Sequence, residues 1–442
     1  MIQVNRIYLI FNRLVTKKFL VDTSDEQNKM NIYIFITTSI KVAGGSQCYT
    51  AAKAKFLEEN GWKVIVFFQG DRVLEHKCLI DYFNKFLGCD VTGISNPPFM
   101  YPKWLRNKIL NKMLNLIGEY RYSDQIIIES HEDSYSQWGE ILASRINARH
   151  YVFLMNEHYR GVNSFYEDKI DFYDFKFNRR EIEGTQTTYD RLFEGYRTIL
   201  PEEIHGVRKL DECPIQDYRC EIIDDIQKKD WNICYIGRGN KPYVQNILKD
   251  VGTFANKHKS KSIQLLTVGD MDIHRDEINR ILLENENLVV RELGYLHPLP
   301  LSLYEKVDVV IAGSGSARHS CEEGAIVIVA DTETRMSDGI LGYETLNSVY
   351  KSDDSVCSDF SDALERVFVE KVQLNLPYRF PPKLGVEKQT EQHFELFNMS
   401  DRKYEYYDEK KLVEGKRNWK FVVKIAFHNY FPNITSFLIN HK

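Results

Sequence analysis

A glycine- and serine-rich segment between Gly313 and Ala317 carries the clearest chemical signal in this 442-residue chain. It follows an apolar run that predicts a buried strand, and it precedes a run that predicts a helix. The first amides of a helix have no intrahelical acceptor, and the helix dipole favours a negative charge beside them. We therefore interpret Ser314, Gly315 and Ser316 as a phosphate-binding turn. An ordinary serine-capped turn is the alternative.

Two cations follow another predicted strand, Asn232 to Ile236. Arg238 and Lys241 lie in the turn that begins at Gly237. Ligands of open α/β sheets bind beyond the carboxyl ends of the strands, and a leaving diphosphate needs positive charge beside it. The positions of Arg238 and Lys241 suit that task, whereas a solvated pair at a helix start is the alternative.

These candidates depend on two successive series of strands and helices. The first series has predicted strands at 32–38, 63–68, 125–129 and 151–155. The second has them at 232–236, 263–268, 288–292, 308–311 and 325–330, and Ser337 to Glu344 follow as a loop. Residues 71–124 read as helical. The alternation predicts an α/β protein with two Rossmann-like βαβ domains of buried parallel strands.

The segment 201–229 is charged, contains two prolines and lacks a clear period, which predicts a linker. The chain is thus divided into an N-terminal extension (1–29), a first domain (30–200), the linker (201–229), a second domain (230–385) and a C-terminal tail (386–442). Residues 410–442 contain seven Lys or Arg and one acid among many aromatic residues. This composition suits either an anionic membrane surface or a helix that returns to the first domain.

Composition excludes several classes of protein. The net charge of −5 and the pI near 6.2 argue against an overall basic nucleic-acid binder, and we predict no nucleic-acid partner. No apolar run approaches the ~18–20 residues that cross a bilayer. Eight cysteines without a C-x-x-C pair favour reduced thiols, so we expect a cytoplasmic protein.

Several short segments occur in an order and spacing that resembles the GT-B fold glycosyltransferases, in particular the large retaining group that includes sucrose and mannosyl transferases. The resemblance covers about residues 31–370. It rests on Gly44-Gly45-Ser46-Gln47, Met155-Asn156-Glu157-His158, Tyr235-Ile236-Gly237-Arg238, Val268-Gly269-Asp270, Leu293-Gly294-Tyr295 and Val307-Asp308-Val309-Val310.

The resemblance implies two facing domains, with a nucleotide-diphosphate sugar as donor on the second and a glycan or lipid-linked acceptor on the first. It implies that Arg238 and Lys241 bind the leaving diphosphate. Lys241 follows the arginine at a shorter distance in the sequence than the usual lysine of the family does. The resemblance also implies that His158 hydrogen-bonds the transferred sugar. His131 ends the preceding predicted strand, beside Glu132 and Asp133, and from that position we expect it to contact the acceptor. The remaining predicted donor contacts are Gly44, Gly45, Gly237, Gly342 and Tyr343.

One departure from the family concerns its pair of donor-binding glutamates. His319 and Ile311 occupy the corresponding positions, while Glu322 and Glu323 lie in the last turn of the predicted helix. We expect His319, Glu322 and Glu323 to contact the donor. A contact between Arg318 and Glu322, four residues apart, is the alternative for one of the acids.

Asp270-Met271-Asp272 matches the metal-binding D-x-D of the other glycosyltransferase fold, but its position at a strand end indicates a turn with capping acids. We therefore predict no metal and no cofactor besides the donor substrate. The predicted function is a retaining glycosyltransferase of bacterial surface polysaccharide synthesis, such as capsule or O-antigen, with peripheral membrane association as one option. The alternatives are a nucleotide-sugar 2-epimerase and a non-catalytic nucleotide-sugar-binding subunit.

Overall fold

The computed structural model of the protein describes residues 31–38, 40, 45–69, 87–131, 133–155, 169–204, 215–348, 357–371, 386–398 and 405–431. Two six-stranded β-sheets dominate this part of the chain, one in each half. They confirm the predicted α/β architecture with two Rossmann-like domains. The predictions for Gly44, His158 and the extension 1–29 fall outside the described residues.

The first sheet contains six parallel strands: β1 (Ile32–Ile36), β2 (Lys63–Phe68), β3 (Leu87–Asp90), β4 (Ile126–His131), β5 (Arg149–Phe153) and β6 (Ile182–Glu183). Their order is β3-β2-β1-β4-β5-β6. The helices of this half are α1 (Gly45–Glu59), α2 (Lys103–Ile117), α3 (Asp133–Ile146), α4 (Ile170–Asn178) and α5 (Gln186–Leu192). Tyr33 and Phe35 of β1 pack with α1 on one face, and Ile32, Ile34 and Ile36 pack with α2 to α4 on the other. Burial on both faces explains why β1 is uniformly apolar.

The second sheet contains β8 (Trp231–Ile236), β9 (Ile263–Val268), β10 (Leu288–Gly294), β12 (Val309–Ala312), β13 (Val327–Ala330) and β14 (Ser337–Ile340), and β7 (Ile215–Gln216) pairs separately with β11 (Leu299–Pro300). The order is β10-β9-β8-β12-β13-β14, with β14 antiparallel to β13. The helices are α6 (Glu221–Asp224), α7 (Val244–Lys257), α8 (Arg275–Glu284), α9 (Leu303–Lys306), α10 (Ser314–Glu322) and α11 (Phe360–Phe368). Helices α7, α8 and α11 cover one face, and α6, α9 and α10 cover the other.

Three further helices follow the second domain and contact the first: α12 (Val386–Asn398), α13 (Glu409–Val413) and α14 (Trp419–Tyr430). Helix α12 lies against α1. Leu412, Val422 and Ile425 are buried in the core of the first domain. No helix of the described residues is long and apolar enough to cross a membrane.

Two predicted segments are wrong in part. Residues 71–124 were predicted to be helical, yet β3 lies within them because Leu87–Asp90 completes the edge of the first sheet. Ser337–Ile340 was predicted to begin a loop, but it is the buried antiparallel edge strand β14. The polar sequence of this segment has a low strand propensity, so the sequence does not predict it as a strand. Its backbone hydrogen bonds to β13 form the strand nevertheless.

Candidate functional site

The candidate donor site begins where the strand order of the second sheet reverses, between β8 and β12. Ile236 pairs with Ala312 in register, so the loops that start at Gly237 and Gly313 leave the sheet side by side. Ligands of open α/β sheets bind in the crevice at such a reversal. The structure therefore brings the Arg238 turn next to the Gly313 turn, as the sequence predicted for the candidate site.

Glycines bring the loops of this edge into close backbone contact. A Cβ atom on Gly239 would lie 1.9 Å from the Asp270 carbonyl oxygen, and one on Gly269 would lie 2.0 Å from the Gly237 oxygen. Only glycine fits either position without moving backbone. The two loops are consequently locked together beneath Arg238, and the edge of the sheet offers mainly backbone to a ligand.

Arg238 projects from this edge as an exposed cation. Its carbonyl oxygen accepts hydrogen bonds from the Tyr235 hydroxyl (2.9 Å) and the Lys241 amide (3.2 Å), which fix the turn. Its guanidinium makes no ion pair with any residue that the structure describes. Arg238 is thus placed to bind an external anion, and Lys241 follows it by one turn, half-buried.

The predicted phosphate-binding turn has fewer amides available to a ligand than the sequence indicated. Ser314 has a positive φ of 53°, and its amide donates to the Ser348 carbonyl oxygen at 2.5 Å. That amide is therefore occupied, and Ser314 is wrong as a predicted amide donor to a ligand. The amides of Gly315 and Ser316 have no acceptor within the described ranges, so these two remain the candidates at the amino end of α10.

Of the three residues predicted to contact the donor here, His319 and Glu322 contact each other, whereas Glu323 lies apart from them. Glu322 accepts a hydrogen bond from Arg318 Nε at 3.1 Å, as the simpler alternative predicted, and it also lies 3.3 Å from His319 Nδ1. His319 is buried, and its Nε2 lies 3.8 Å from where a Cβ of Gly315 would be. His319 therefore connects Glu322 to the side of the predicted phosphate-binding turn to which a Cβ of Gly315 would project. Glu323 is exposed at the carboxyl end of α10.

Gly342 and Tyr343 lie in a tight turn directly after β14. Gly342 has a φ of 82°, which favours glycine, and its amide donates to the Thr345 carbonyl oxygen at 2.7 Å. The Tyr343 ring is half exposed. The geometry is compatible with an aromatic contact to a donor, which stays a prediction.

The acids of the D-x-D sequence take part in a turn. The Asp270 carboxylate accepts the Asp272 amide at 3.0 Å, and Asp272 pairs with Arg275 at 2.8 Å. Both contacts agree with the interpretation of this segment as a turn. In the part of the chain that the structure describes, no group of three or more His, Cys, Asp or Glu side chains is arranged to hold a metal ion.

The two domains touch through residues that follow the carboxyl ends of strands in both sheets. Cys48, in the first helical turns after β1, has its Sγ 3.3 Å from Nε2 of His297, which follows β10. Arg191 pairs with Glu333 at 3.1 Å. The carboxyl edges of the two sheets therefore meet, and a ligand on the Arg238 edge would face the first domain.

This two-domain arrangement matches solved structures. A glycosyltransferase from Rickettsia africae has a TM-score of 0.51 and 14% identity, covering 92% of this chain and 100% of its own. Anabaena HepE in complex with UDP has a TM-score of 0.51 and 12% identity, covering 90% and 100%. A Listeria monocytogenes protein assigned as a UDP-N-acetylglucosamine 2-epimerase has a TM-score of 0.50 and 13% identity, covering 85% and 99%. The chain has the GT-B fold.

This likeness is confined to the fold. No protein-family model matches the sequence, and no curated protein matches it in a sequence comparison. At such low identity the function of this GT-B protein has to be argued from its own site.

In the first domain of this GT-B chain, the structure differs from the prediction for His131. His131, predicted to contact the acceptor, is completely buried. Its Nδ1 lies 2.8 Å from the Thr37 hydroxyl, and its Nε2 lies 2.9 Å from Glu129 Oε1. The prediction of direct acceptor contact is therefore wrong for His131, which instead positions the end of β1. Gly45 was also predicted to contact the donor. It opens α1 on the surface, and a Cβ there would meet nothing within 4 Å.

Glu129 is the centre of a buried network that sequence reasoning missed. Its carboxylate accepts hydrogen bonds from Lys53 Nζ (2.5 Å) and from the Tyr33 hydroxyl (2.5 Å). Burial alone would raise the pKa of Glu129, but Lys53 and His131 hold that pKa well below its usual value. The sequence feature that could have predicted this network is a charged residue within each of two apolar segments: Lys53 in α1 and Glu129 in β4. Such residues are rarely buried unless they are paired.

Proposed function

We propose that the protein is a glycosyltransferase that moves a sugar from a nucleotide-diphosphate donor to a glycan or lipid-linked acceptor in bacterial surface polysaccharide synthesis. The observation that carries the proposal is the junction of β8 and β12, where the turn with Arg238 and the amino end of α10 with the amides of Gly315 and Ser316 leave the sheet side by side. A guanidinium and two helical amides form a binding site for a diphosphate.

The same groups suit the chemistry of transfer. As the bond between sugar and phosphate breaks, negative charge grows on the diphosphate, and a neighbouring guanidinium with the amides at the helix start would stabilise that charge. We propose that no metal is required, that the anomeric configuration is retained, and that the leaving phosphate itself accepts the acceptor proton. Closure of the two domains around the ligands would exclude water.

The solved neighbours suggest which nucleotide to test first. Anabaena HepE was crystallised with UDP and with UDP-glucose. We propose UDP as the nucleotide of the donor here. A cytoplasmic location would supply it, and a lipid-linked acceptor would bring the protein to the membrane surface as a peripheral protein.

The test is ligand-dependent thermal stabilisation of the purified protein with UDP, GDP, ADP and CMP, each with and without Mg²⁺. A ligand that binds the native state stabilises it by RT ln(1 + [L]/Kd). We expect UDP to raise the Tm equally with and without the metal and Arg238→Ala to abolish the effect. Lys259→Ala, which removes an exposed cation outside the site, is the matched control. A folded protein that responds to no nucleotide would refute the assignment of the donor site.

The epimerase alternative is favoured by one observation, the shared fold of the Listeria monocytogenes protein. The two activities differ in their need for an acceptor. Inversion of a C–H centre requires the C–H bond to break, so an epimerase would incorporate solvent deuterium into UDP-N-acetylglucosamine with no acceptor present. A glycosyltransferase would release UDP only when the acceptor is added. A protein that binds UDP but shows neither reaction would be a nucleotide-sugar-binding subunit.

A further inference from the structure

Helix α14 presents a row of apolar side chains to solvent. Val422 and Ile425 point into the core of the first domain, as their burial shows. Four other side chains, spaced by four, four and three residues, share one exposed stripe of the helix because this spacing follows its period. They are Trp419, Val423, Phe427 and Tyr430, which are 60%, 65%, 41% and 54% exposed. We call these four residues the outer stripe.

Cations surround the outer stripe. Residues 415–431 include four Lys or Arg and no acid, and all four are exposed: Lys416, Arg417, Lys420 and Lys424. Helix α2 contains four more cations and again no acid: Lys103, Arg106, Lys108 and Lys112. The two helices form one surface, since Lys108 Nζ lies 3.1 Å from the centre of the Tyr430 ring. The ring of Trp104, on the same helix, lies 6.0 Å from that of Tyr430.

This combination is chemically specific. Exposed Trp, Phe and Tyr side chains gain free energy at a lipid interface, where their rings enter the boundary between headgroups and acyl chains. The two segments contribute eight cations and no acid, and Asp90, 3.9 Å from Lys112, offsets one of these charges, so the surface keeps an excess of positive charge that attracts anionic lipid headgroups. We propose that α14 and α2 form a docking face for an anionic phospholipid bilayer, with the outer stripe inserted and the lysines on the headgroups.

The face adjoins the edge strand β3 of the first sheet. The Asn429 side chain donates to the Thr92 carbonyl oxygen at 3.3 Å, and a Cβ on Gly93 would lie 3.1 Å from Ile425. Thr92 and Gly93 come directly after β3, at the carboxyl edge of the sheet. A bilayer bound to α14 would therefore lie at the β3 end of the first sheet. The docking face rests on its own residues and does not depend on sugar transfer.

The test is co-sedimentation of the full-length protein with phosphatidylcholine vesicles, with and without about one third phosphatidylglycerol. We expect binding to the anionic vesicles that weakens at about 0.5 M salt, because salt screens surface charge. Lys420→Gln with Lys424→Gln should reduce the partition coefficient by about 25-fold, since each cation near such a surface contributes about fivefold. Trp419→Ala with Phe427→Ala should also release the protein.

The matched controls place the same changes elsewhere. Lys249→Gln with Lys259→Gln neutralises two exposed lysines of the second domain, and Leu283→Ala truncates a side chain that is 86% exposed there. Both should bind like the unchanged protein, and circular dichroism confirms folding. Equal binding by all variants, or no vesicle binding at all, would overturn the proposal. A concentration-dependent dimer lost in the Trp419→Ala, Phe427→Ala variant, without vesicle binding, would overturn it in favour of self-association. These results need no nucleotide, so they are independent of the donor-site test.

Discussion

Lys53 and His393 are 340 positions apart in the sequence, yet Lys53 Nζ lies 2.6 Å from His393 Nδ1 in the buried interior. The ammonium also donates to Glu129 at 2.5 Å and to the Tyr49 hydroxyl at 3.0 Å, which uses all three of its protons. On the other side of the ring, His393 Nε2 lies 2.6 Å from Glu183 Oε2. These contacts attach α12, which follows the second domain, to the buried residues Lys53 and Glu183 of the first domain.

Removal of the Lys53 ammonium should destabilise the protein strongly. In Lys53→Met the Glu129 carboxylate remains buried without its main positive partner, a change that typically costs about 3–5 kcal/mol. We expect the free energy of unfolding in urea to fall by about that amount at neutral pH, and to recover in part when Glu129→Gln is added. A loss of less than about 1 kcal/mol would show that water or a rearranged side chain replaces the ammonium.

His393→Ala should detach α12 rather than unfold the whole domain. The variant leaves one Lys53 proton and Glu183 unpaired in the interior, at a cost of about 1–3 kcal/mol. Limited proteolysis should then cut within Val386–Asn398 faster than in the unchanged protein, because this helix packs mainly on α1. His428→Ala is the control, since His428 makes no hydrogen bond or ion pair with the residues that the structure describes. Equal cleavage rates for both variants would refute the role of His393 as a fastener.

Stability should fall as the pH is lowered from about 6.5, because of a second buried network. Burial lowers the pKa of His150 to about 4, and Lys176 acts in the same direction. Burial alone would raise the pKa of Glu140, but Lys176 and His150 lower it to about 2. Between pH 6.5 and 4 the unfolded chain takes up a proton at His150 that the folded chain does not, and below pH 4.5 the same holds for Glu140. Both differences favour unfolding in acid.

The measurement is the Tm between pH 7.5 and 4 for the protein and for His150→Gln. The variant is less stable at pH 7.5, but its Tm should depend less on pH between 6.5 and 4, because the titrating group is gone. A slope that persists in His150→Gln would assign the acid sensitivity to other groups.

The sequence was informative where burial is uniform along the chain. Strands such as β1 and β9 are apolar runs ended by turn residues, so their positions could be predicted from composition alone. The Arg238 and Gly315 turns could be placed as well, because they follow such strands directly. Pairing over long sequence separations leaves no local signal, which explains why the network of Lys53, Glu129 and His393 was missed. His131 was misplaced for a related reason: its strand position was visible, but not that Glu129 and Thr37 hold its ring inside.

Phosphate binding by the amides of Gly315 and Ser316 can be tested by adding a methyl group at Gly315. A Cβ on Gly315 would meet only His319, at 3.8 Å, so Gly315→Ala should fold and should be as stable as the unchanged protein or slightly more so. The added methyl group would lie at the two amides proposed to bind phosphate, so we expect weaker binding of UDP in isothermal titration calorimetry. Arg238→Ala should weaken it about 10- to 100-fold, since a hydrogen bond to a charged group contributes about 1.5–3 kcal/mol.

Two further variants test the geometry of the guanidinium and the predicted contact in the first domain. Arg238→Lys keeps the charge but loses the planar fork, so it should bind UDP more tightly than Arg238→Ala and less tightly than the unchanged protein. Gly45→Ala adds a methyl group at an equally open helix start in the first domain, and its effect on affinity measures the predicted contact there. If Gly315→Ala and Arg238→Ala both bind UDP with unchanged affinity while remaining folded, the junction of β8 and β12 is not the donor site. If only Arg238→Ala is impaired, the guanidinium binds the diphosphate and the amides of α10 do not.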